Sequence, residues 1–269
     1  SGGFGVDTSG HCAMLPLNAM SPLSSPSLSV IVVCKNPGPR LATALNSVWE
    51  QRGTPPELIV IDGGSTDGTR EWLEQHRPRV ACLVSGPDQG IYAAMNRGLA
   101  AARGDWVLFL GADDRLASEI VLAEVAVQLG QTAGSIVVGE IAYEDGRVYH
   151  LASSPRPLAR NFVHHQGAFY RRSLFAENGE FDASLRVMAD YDFNLRLWKK
   201  HVRFKPFALC VARCGAGGVS DRGAWRGYRE EIRVRHRHFS AWRCWGWDLL
   251  TVLRWLRKKI VVSFSPHHG

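Results

Sequence analysis

Between residues 28 and 110 the apolar positions gather into four short runs, Leu28–Val33, Leu58–Ile61, Val80–Val84 and Trp106–Leu110. Each is too short for a helix and is closed by Gly, Asp, Ser or Pro. The pattern predicts strands buried on both faces, as in a mainly parallel sheet. Between the runs the apolar spacing changes to that of helices. Leu41, Leu45, Val48 and Trp49 form one face, stopped by Gly53 and Pro55-Pro56; Trp72 and Leu73 mark a short helix; Met95, Leu99 and Ala102 continue one that begins at Ile91. Strand–helix alternation with right-handed crossovers brings the loops that follow the strands to one edge of the sheet.

The second half reads as mixed. Ser118 is placed to cap a helix over Glu119–Leu129, with Gly130 beyond it. A strand over Ile136–Val138 and a hairpin over Glu140–His150, turning at Glu144-Asp145-Gly146, follow. His164-His165-Gln166-Gly167 leads into Ala168-Phe169-Tyr170, and a helix beginning at Ala189 carries Phe193, Leu197 and Trp198 on one face. Val202–Leu209 is predicted as the final strand. Residues 1–26 are rich in Ser, Gly and Pro without periodicity and are expected to be disordered. The division expected is 1–26 disordered, 27–215 one α/β domain, and 216–269 a helical extension.

Charge sharpens that division. The net charge is +7, but from Arg222 onward eleven Lys/Arg face only three acids, so the body is close to neutral. A basic tail on a neutral body argues against a nucleic-acid groove across the main domain. The tail also holds five of the nine tryptophans: Trp225, Trp242, Trp245, Trp247 and Trp255. Leu249, Val252, Leu253, Leu256 and Ile260 form a helical stripe there, with Arg254, Arg257, Lys258 and Lys259 over the remainder. That composition suits an interfacial helix over residues 225–260 on an anionic membrane, against packing on the domain or on a second copy. No apolar run is long enough to span a bilayer, no secretory signal is visible, and no Cys-x-x-Cys occurs among the six cysteines. Reduced cysteines in a cytoplasmic protein are the expectation.

The candidate chemistry lies in the loops. Asp113 and Asp114 follow the most apolar strand, where ligands of parallel sheets bind. Adjacent carboxylates repel unless a cation relieves them, and Mg²⁺ or Mn²⁺ carrying phosphates would do so. Helix capping by Asp113 with a solvated Asp114 is the plainer alternative. Asp62 precedes Gly63-Gly64 and suits either a ligand contact or an Asx turn. Asp190 and Asp192 suit a helix N-terminus or catalysis.

These segments, taken together, resemble the family 2 inverting glycosyltransferases of GT-A fold over roughly residues 28–215. The resemblance rests on Ser29-Val-Ile-Val-Val-Cys-Lys-Asn36, Val60-Ile-Asp-Gly-Gly-Ser-Thr-Asp-Gly-Thr69, Pro87-Asp-Gln-Gly-Ile-Tyr-Ala-Ala-Met-Asn-Arg-Gly98, Leu110-Gly-Ala-Asp-Asp114, His165-Gln166 and Ala189-Asp-Tyr-Asp192. Within the family the chain looks most like non-processive enzymes of bacterial exopolysaccharide, O-antigen and glycolipid assembly. The Gln-x-x-Arg-Trp of the processive synthases does not occur, which implies one sugar per encounter.

The resemblance implies roles. Asp114 would ligate the metal on the donor diphosphate and Asp113 the ribose or the metal's water shell. Asp62, Asp88 and Asn96 would form the nucleotide pocket, and Asp190 would be the general base. His165 stands as an acceptor-side candidate, with third metal ligand and ordinary strand residue as alternatives for it and His164. A nucleotide-sugar donor and a lipid-linked or glycan acceptor at the cytoplasmic face of the inner membrane follow. Two departures touch base recognition: Gly63 stands where many relatives have a second Asp, and Val33-Cys34 where Thr is frequent. The rivals are a sugar nucleotidyltransferase, whose Gly-rich basic loop is poorly matched by Cys34–Pro39, and a non-catalytic nucleotide-sugar or glycan binder.

Overall fold

The computed structural model describes residues 27–132, 136–152, 156–215 and 225–264. In chain order they form β1 (Leu28–Cys34), α1 (Arg40–Trp49), β2 (Glu57–Asp62), α2 (Thr69–Gln75), β3 (Cys82–Ser85), α3 (Ile91–Ala101), β4 (Trp106–Gly111), β5 (Asp114–Leu116), α4 (Val121–Gly130), β6 (Ile136–Tyr143), β7 (Val148–Tyr149), β8 (Ala168–Arg171), α5 (Ser173–Asn178), α6 (Ala189–Lys199), β9 (Phe204–Cys214), α7 (Trp225–His238) and α8 (Ala241–Phe264). The segment expected to be disordered, 1–26, lies outside the described residues, as does Arg222.

The strands pair in the order β3-β2-β1-β4-β8-β6-β9-β5, with β7 beside β6. β3, β2, β1 and β4 run parallel. β8 is antiparallel to both β4 and β6, β9 runs parallel to β6, and β5 is antiparallel to β9. This is the expected mixed, mainly parallel α/β sheet flanked by helices. Because successive side chains of a strand point to opposite faces, each buried strand feeds two cores. Ile31, Val33, Ile59, Ile61, Val107 and Phe109 pack with α3 and α6. Val30, Val32, Leu58, Val60, Leu108 and Leu110 pack with α1 and α4. Gly98 lets α3 lie against β1, since a Cβ there would stand 2.4 Å from Ile31 Cγ2.

Three boundaries differ from expectation for physical reasons. The fourth helix starts at Val121 with no side-chain cap, not at Glu119 under Ser118. Ser118 and Glu119 are instead tied to the end of α1: Gln51 Nε2 donates to Ser118 O at 2.6 Å, and Arg52 binds Glu119 through both backbone and side chain. β9 runs five residues past Leu209, because its far half completes ladders with both β6 and β5. Val80 and Ala81 precede β3 and are not part of it.

The tail forms two helices, and the second packs opposite to its hydrophobic pattern. Arg235 of α7 is fully buried; its guanidinium donates to Leu158 O, Glu231, Asp248 and the Thr251 hydroxyl. Glu231 also accepts from Thr251 and Arg254. A buried guanidinium must be met by acceptors, so α8 turns Asp248 and Thr251 inward beside Cys244. Its apolar residues Trp242, Trp245, Leu249, Leu253, Leu256 and Ile260 are left exposed, Trp242 to 81% and Trp245 to 78%.

Candidate active site

The loops after β1, β2 and β3 and the turn after β4 meet at one edge of the sheet, as strand polarity requires. Asn36, in a left-handed backbone conformation, accepts from Thr66 N–H at 2.8 Å, while its own N–H donates to Ser65 Oγ. Asp67 accepts from Gly38 N–H and from both the N–H and hydroxyl of Thr69, opening α2.

Asp62 ends β2 fully buried. Its carboxylate accepts from Ser65 N–H and hydroxyl, from Ser85 Oγ at 2.6 Å and weakly from Cys34 Sγ. Burial, with Asp62 alongside, pushes the Cys34 thiol up to about 12. Asp62 therefore organises the loops after β2 and β3 through these internal donors, the Asx-type arrangement.

Asp88 accepts from Gly90 N–H ahead of α3. A Cβ on Gly63 would stand 2.2 Å from Asp88 Oδ2. The missing second acid after Asp62 is thus the space into which the Asp88 carboxylate folds. Asn96 is engaged within the fold. Its amide donates to Phe181 O at 2.8 Å and accepts from Phe181 N–H, which makes it a brace between α3 and the segment before α6.

Asp113 and Asp114 lie in the turn from β4 to β5, held from the far side by β9, whose Cys214 pairs with Asp114. Asp113 is half-buried and Asp114 buried. Both carboxylates fold back toward Gly111, where a Cβ would stand 2.8 Å from Asp113 Oδ1 and 2.9 Å from Asp114 Oδ2. Asp114 accepts from Gly111 N–H at 2.9 Å. Burial first, and then the neighbouring Asp113 charge, raise the Asp114 carboxyl above its ordinary value. Neither acid caps α4, whose N-cap is Ile120. The described residues hold no cluster of three or more metal-ligating side chains. Two carboxylates completed by phosphate oxygens and water are, however, the donor set in which Mg²⁺ or Mn²⁺ is bound at phosphate sites. A cation would relieve the repulsion that the pair now carries, so Asp113 and Asp114 fit one.

Asp190 is in the first turn of α6 but is not its cap, which is Met188. The carboxylate is buried and accepts four hydrogen bonds: Tyr92 hydroxyl (3.0 Å) and Tyr191 N–H (2.8 Å) on Oδ1, Asn161 Nδ2 (3.0 Å) and His165 Nδ1 (3.3 Å) on Oδ2. Burial alone would raise its carboxyl; the hydrogen bond and charge of His165 and the Tyr92 hydroxyl outweigh burial and hold it below the usual range. His164 itself is pushed down to about 4 by burial, so it is uncharged at neutral pH and His165 is the partner that matters. His165 heads a short 3-10 turn, His165–Gly167, not a strand, and its charge also acts on Asp114. One imidazole thus bonds to Asp190 and acts electrostatically on Asp114. Beside it, Gln166 Oε1 is buried without a partner among the described residues. His164 instead supports the turn, its ring 4.1 Å from that of Tyr149 and its Nδ1 bonded to the Tyr143 hydroxyl.

Sequence reasoning missed Tyr92, Asn161 and Glu230. Tyr92 stood within a quoted motif without a role. Glu230 carried no local signal: it accepts three successive backbone N–H groups ahead of α6 from 42–44 residues away.

A family model described as Glycosyl transferase family 2 matches residues 29–190. A PGL/p-HBAD biosynthesis glycosyltransferase of Mycobacterium bovis is 36% identical over 183 residues, covering 65% of this chain and 70% of the relative. The succinoglycan biosynthesis protein ExoO of Rhizobium meliloti is 26% identical over 190 residues, covering 62% and 54%. Among solved structures, S. aureus TarS 1-349 in complex with UDP-GlcNAc aligns with a TM-score of 0.65 at 19% identity, over 79% of this chain and 66% of that one. Against a longer TarS chain the coverage is 39% of that chain. The mannosyltransferase PcManGT of Pyrobaculum calidifontis, in complex with GDP-Man and Mn²⁺, aligns with a TM-score of 0.57 at 21% identity, over 90% of this chain and 76% of that one. At these identities the structural likeness shows the shared fold.

Proposed function

The chain belongs to glycosyl transferase family 2, and on that basis we propose that it inverts configuration as it moves one sugar from a nucleotide-sugar to a hydroxyl of a lipid-linked or glycan acceptor. The observation that carries this reading is that His165 bonds to Asp190 and acts electrostatically on Asp114, which brings the base and the acidic pair into one neighbourhood. Asp113 and Asp114 would hold Mg²⁺ or Mn²⁺, which supplies charge neutralisation for the departing diphosphate. Asp88, folded against Gly63, lines the nucleotide side.

Asp190 is the general base. Its donors keep it ionised and fixed, and it takes the hydroxyl proton as the new C–O bond forms and that oxygen becomes acidic. His165 makes the longest of its four contacts, and the incoming hydroxyl would take that place. The bond to the diphosphate breaks as the oxygen arrives from the opposite face, so a single displacement inverts the anomeric carbon. A nucleotide diphosphate leaves without protonation, which is why one carboxylate suffices.

The exposed apolar stripe of α8 supports the reading that the acceptor is met at the cytoplasmic face of an anionic membrane. No described helix is long and apolar enough to cross a membrane. The stripe from Trp242 to Ile260 nevertheless lies exposed on a helix that also bears Arg243, Arg257 and Lys258, the arrangement of a helix lying in a lipid interface.

Thermal shifts with UDP-, GDP- and dTDP-sugars, each with and without Mn²⁺, test the donor side, since a ligand of the native state raises its apparent stability. Asp190→Asn should keep the shift and lose transfer. No shift with any nucleotide-sugar, or unchanged transfer by Asp190→Asn, would overturn the reading. Retained Asp190→Asn turnover of a sugar phosphate with nucleoside triphosphate would favour the nucleotidyltransferase rival.

A further inference from the structure

α7 reaches the active site from outside the matched family segment. Glu230, 5% exposed, turns its carboxylate toward the segment that enters α6. It accepts from the N–H groups of Arg186 (3.0 Å), Val187 (2.8 Å) and Met188 (3.2 Å) in succession. No cation pairs with Glu230 among the described residues, so these peptide donors are what make burial of its charge tolerable. The same segment is gripped on its other side: the Tyr92 hydroxyl shares its one proton between Val187 O (2.8 Å) and the Asp190 carboxylate (3.0 Å). Arg186 extends the link to the Asp88 loop by donating to Gln89 O at 2.6 Å. Seven and eight residues beyond Glu230, on the same face of α7, Arg237 binds Asp182 and His238 meets Asp192 at 2.9 Å.

We propose that Glu230 is a positioning residue for Asp190. By fixing three consecutive peptide groups ahead of α6, it sets where the first turn of that helix, and with it the base, stands relative to the Asp88 loop. The C-terminal helices are then a working wall of the active site, not an appended extension. The inference rests on the reading of Asp190 as the base. It explains why a bare carboxylate is buried here: a shorter or uncharged side chain would leave the three donors, and the turn they belong to, free to shift. A displacement of about 1 Å at a reacting group is enough to lower turnover up to a hundredfold.

The test compares wild type with Glu230→Gln, which keeps one accepting oxygen, and Glu230→Ala, which keeps none. Hydrogen exchange is followed over residues 184–195. Nucleotide release from the sugar donor that gives the largest thermal shift is measured alongside the affinity for that donor. The expected result is a graded series, with exchange at 186–192 fastest and kcat lowest in Glu230→Ala. The kcat loss in Glu230→Ala should be about ten- to a hundredfold, with donor Kd within about twofold of wild type. Unchanged exchange over 186–192 in both variants, or a loss of kcat matched by an equal loss of donor affinity, overturns the proposal. Should Glu230→Ala not fold, Glu230→Gln carries both measurements alone. A wild type without transferase activity would defeat the glycosyl-transfer reading, while the exchange measurement would still report whether Glu230 holds the turn.

Discussion

His164 gives a quantitative handle on the cleft, because it is a histidine that the folded chain keeps from protonating. Its ring lies against Tyr149, is bonded to the Tyr143 hydroxyl, and its ordinary value of 6.5 is pushed down to about 4 chiefly by burial. The sign follows from proton linkage. Between these two values the unfolded chain takes up a proton that the native state refuses, so stability falls as pH drops below 6.5 and the loss is complete near 4. A depression of roughly 2.5 units at about 1.4 kcal/mol each amounts to about 3 kcal/mol across the window.

His164→Phe keeps a ring against Tyr149 and removes the titration. At pH 7.5 the variant should be less stable by about 1 kcal/mol for the lost hydrogen bond. Near pH 4.5 it should be more stable than wild type by about 1–2 kcal/mol, so the two stability curves must cross. Urea unfolding followed by tryptophan fluorescence, at half-unit pH steps between those limits, measures both. Parallel curves would refute the reasoning, since they would mean that His164 is protonated as readily in the folded chain as in the unfolded one.

Gly63→Ala places a methyl where Asp88 Oδ2 now stands 2.2 Å away; donor affinity by calorimetry should fall about tenfold with little change in Tm, Gly63 not requiring a left-handed backbone. Asp114→Asn removes a buried charge beside Asp113. The metal-free Tm should rise by about 2–4 °C, while the Mn²⁺-dependent shift with nucleotide-sugar and the transfer activity are lost. If metal-free stability falls instead, the electrostatic account of the pair is wrong. Replacing Trp242 and Trp245 by Ser should abolish sedimentation with phosphatidylserine vesicles and leave the Tm within a degree or two, because surface substitutions change stability by only about 0.5 kcal/mol. Unchanged vesicle binding would point the stripe at another copy of the chain.

The alternating elements and the sheet edge were legible because they are written locally. Four apolar runs and the helical spacing between them suffice to give β1 to β4 and their crossovers, and strand polarity then fixes which loops meet. The placement of Asp113, Asp114 and Asp190 at element ends was legible for the same reason, each lying within a motif. What each polar side chain does with its lone pairs was not. Nothing near Asn96 in the chain signals that both ends of its amide bond to Phe181, 85 residues away. Nor does the chain around Asp62 signal that Ser85, 23 residues on, donates to it beside Ser65.

The sequence by itself determined the strand–helix alternation, the acidic strand exit and an amphipathic basic tail, since periodicity and turn chemistry act over a few residues. Only the tertiary structure decided that His165 bonds to Asp190, that Glu230 accepts from the turn before α6, and that α8 faces outward with its apolar stripe. Which face of a helix packs depends on the partner it meets. Here the partner is the buried guanidinium of Arg235, whose demand for acceptors outweighs the hydrophobic pattern of α8.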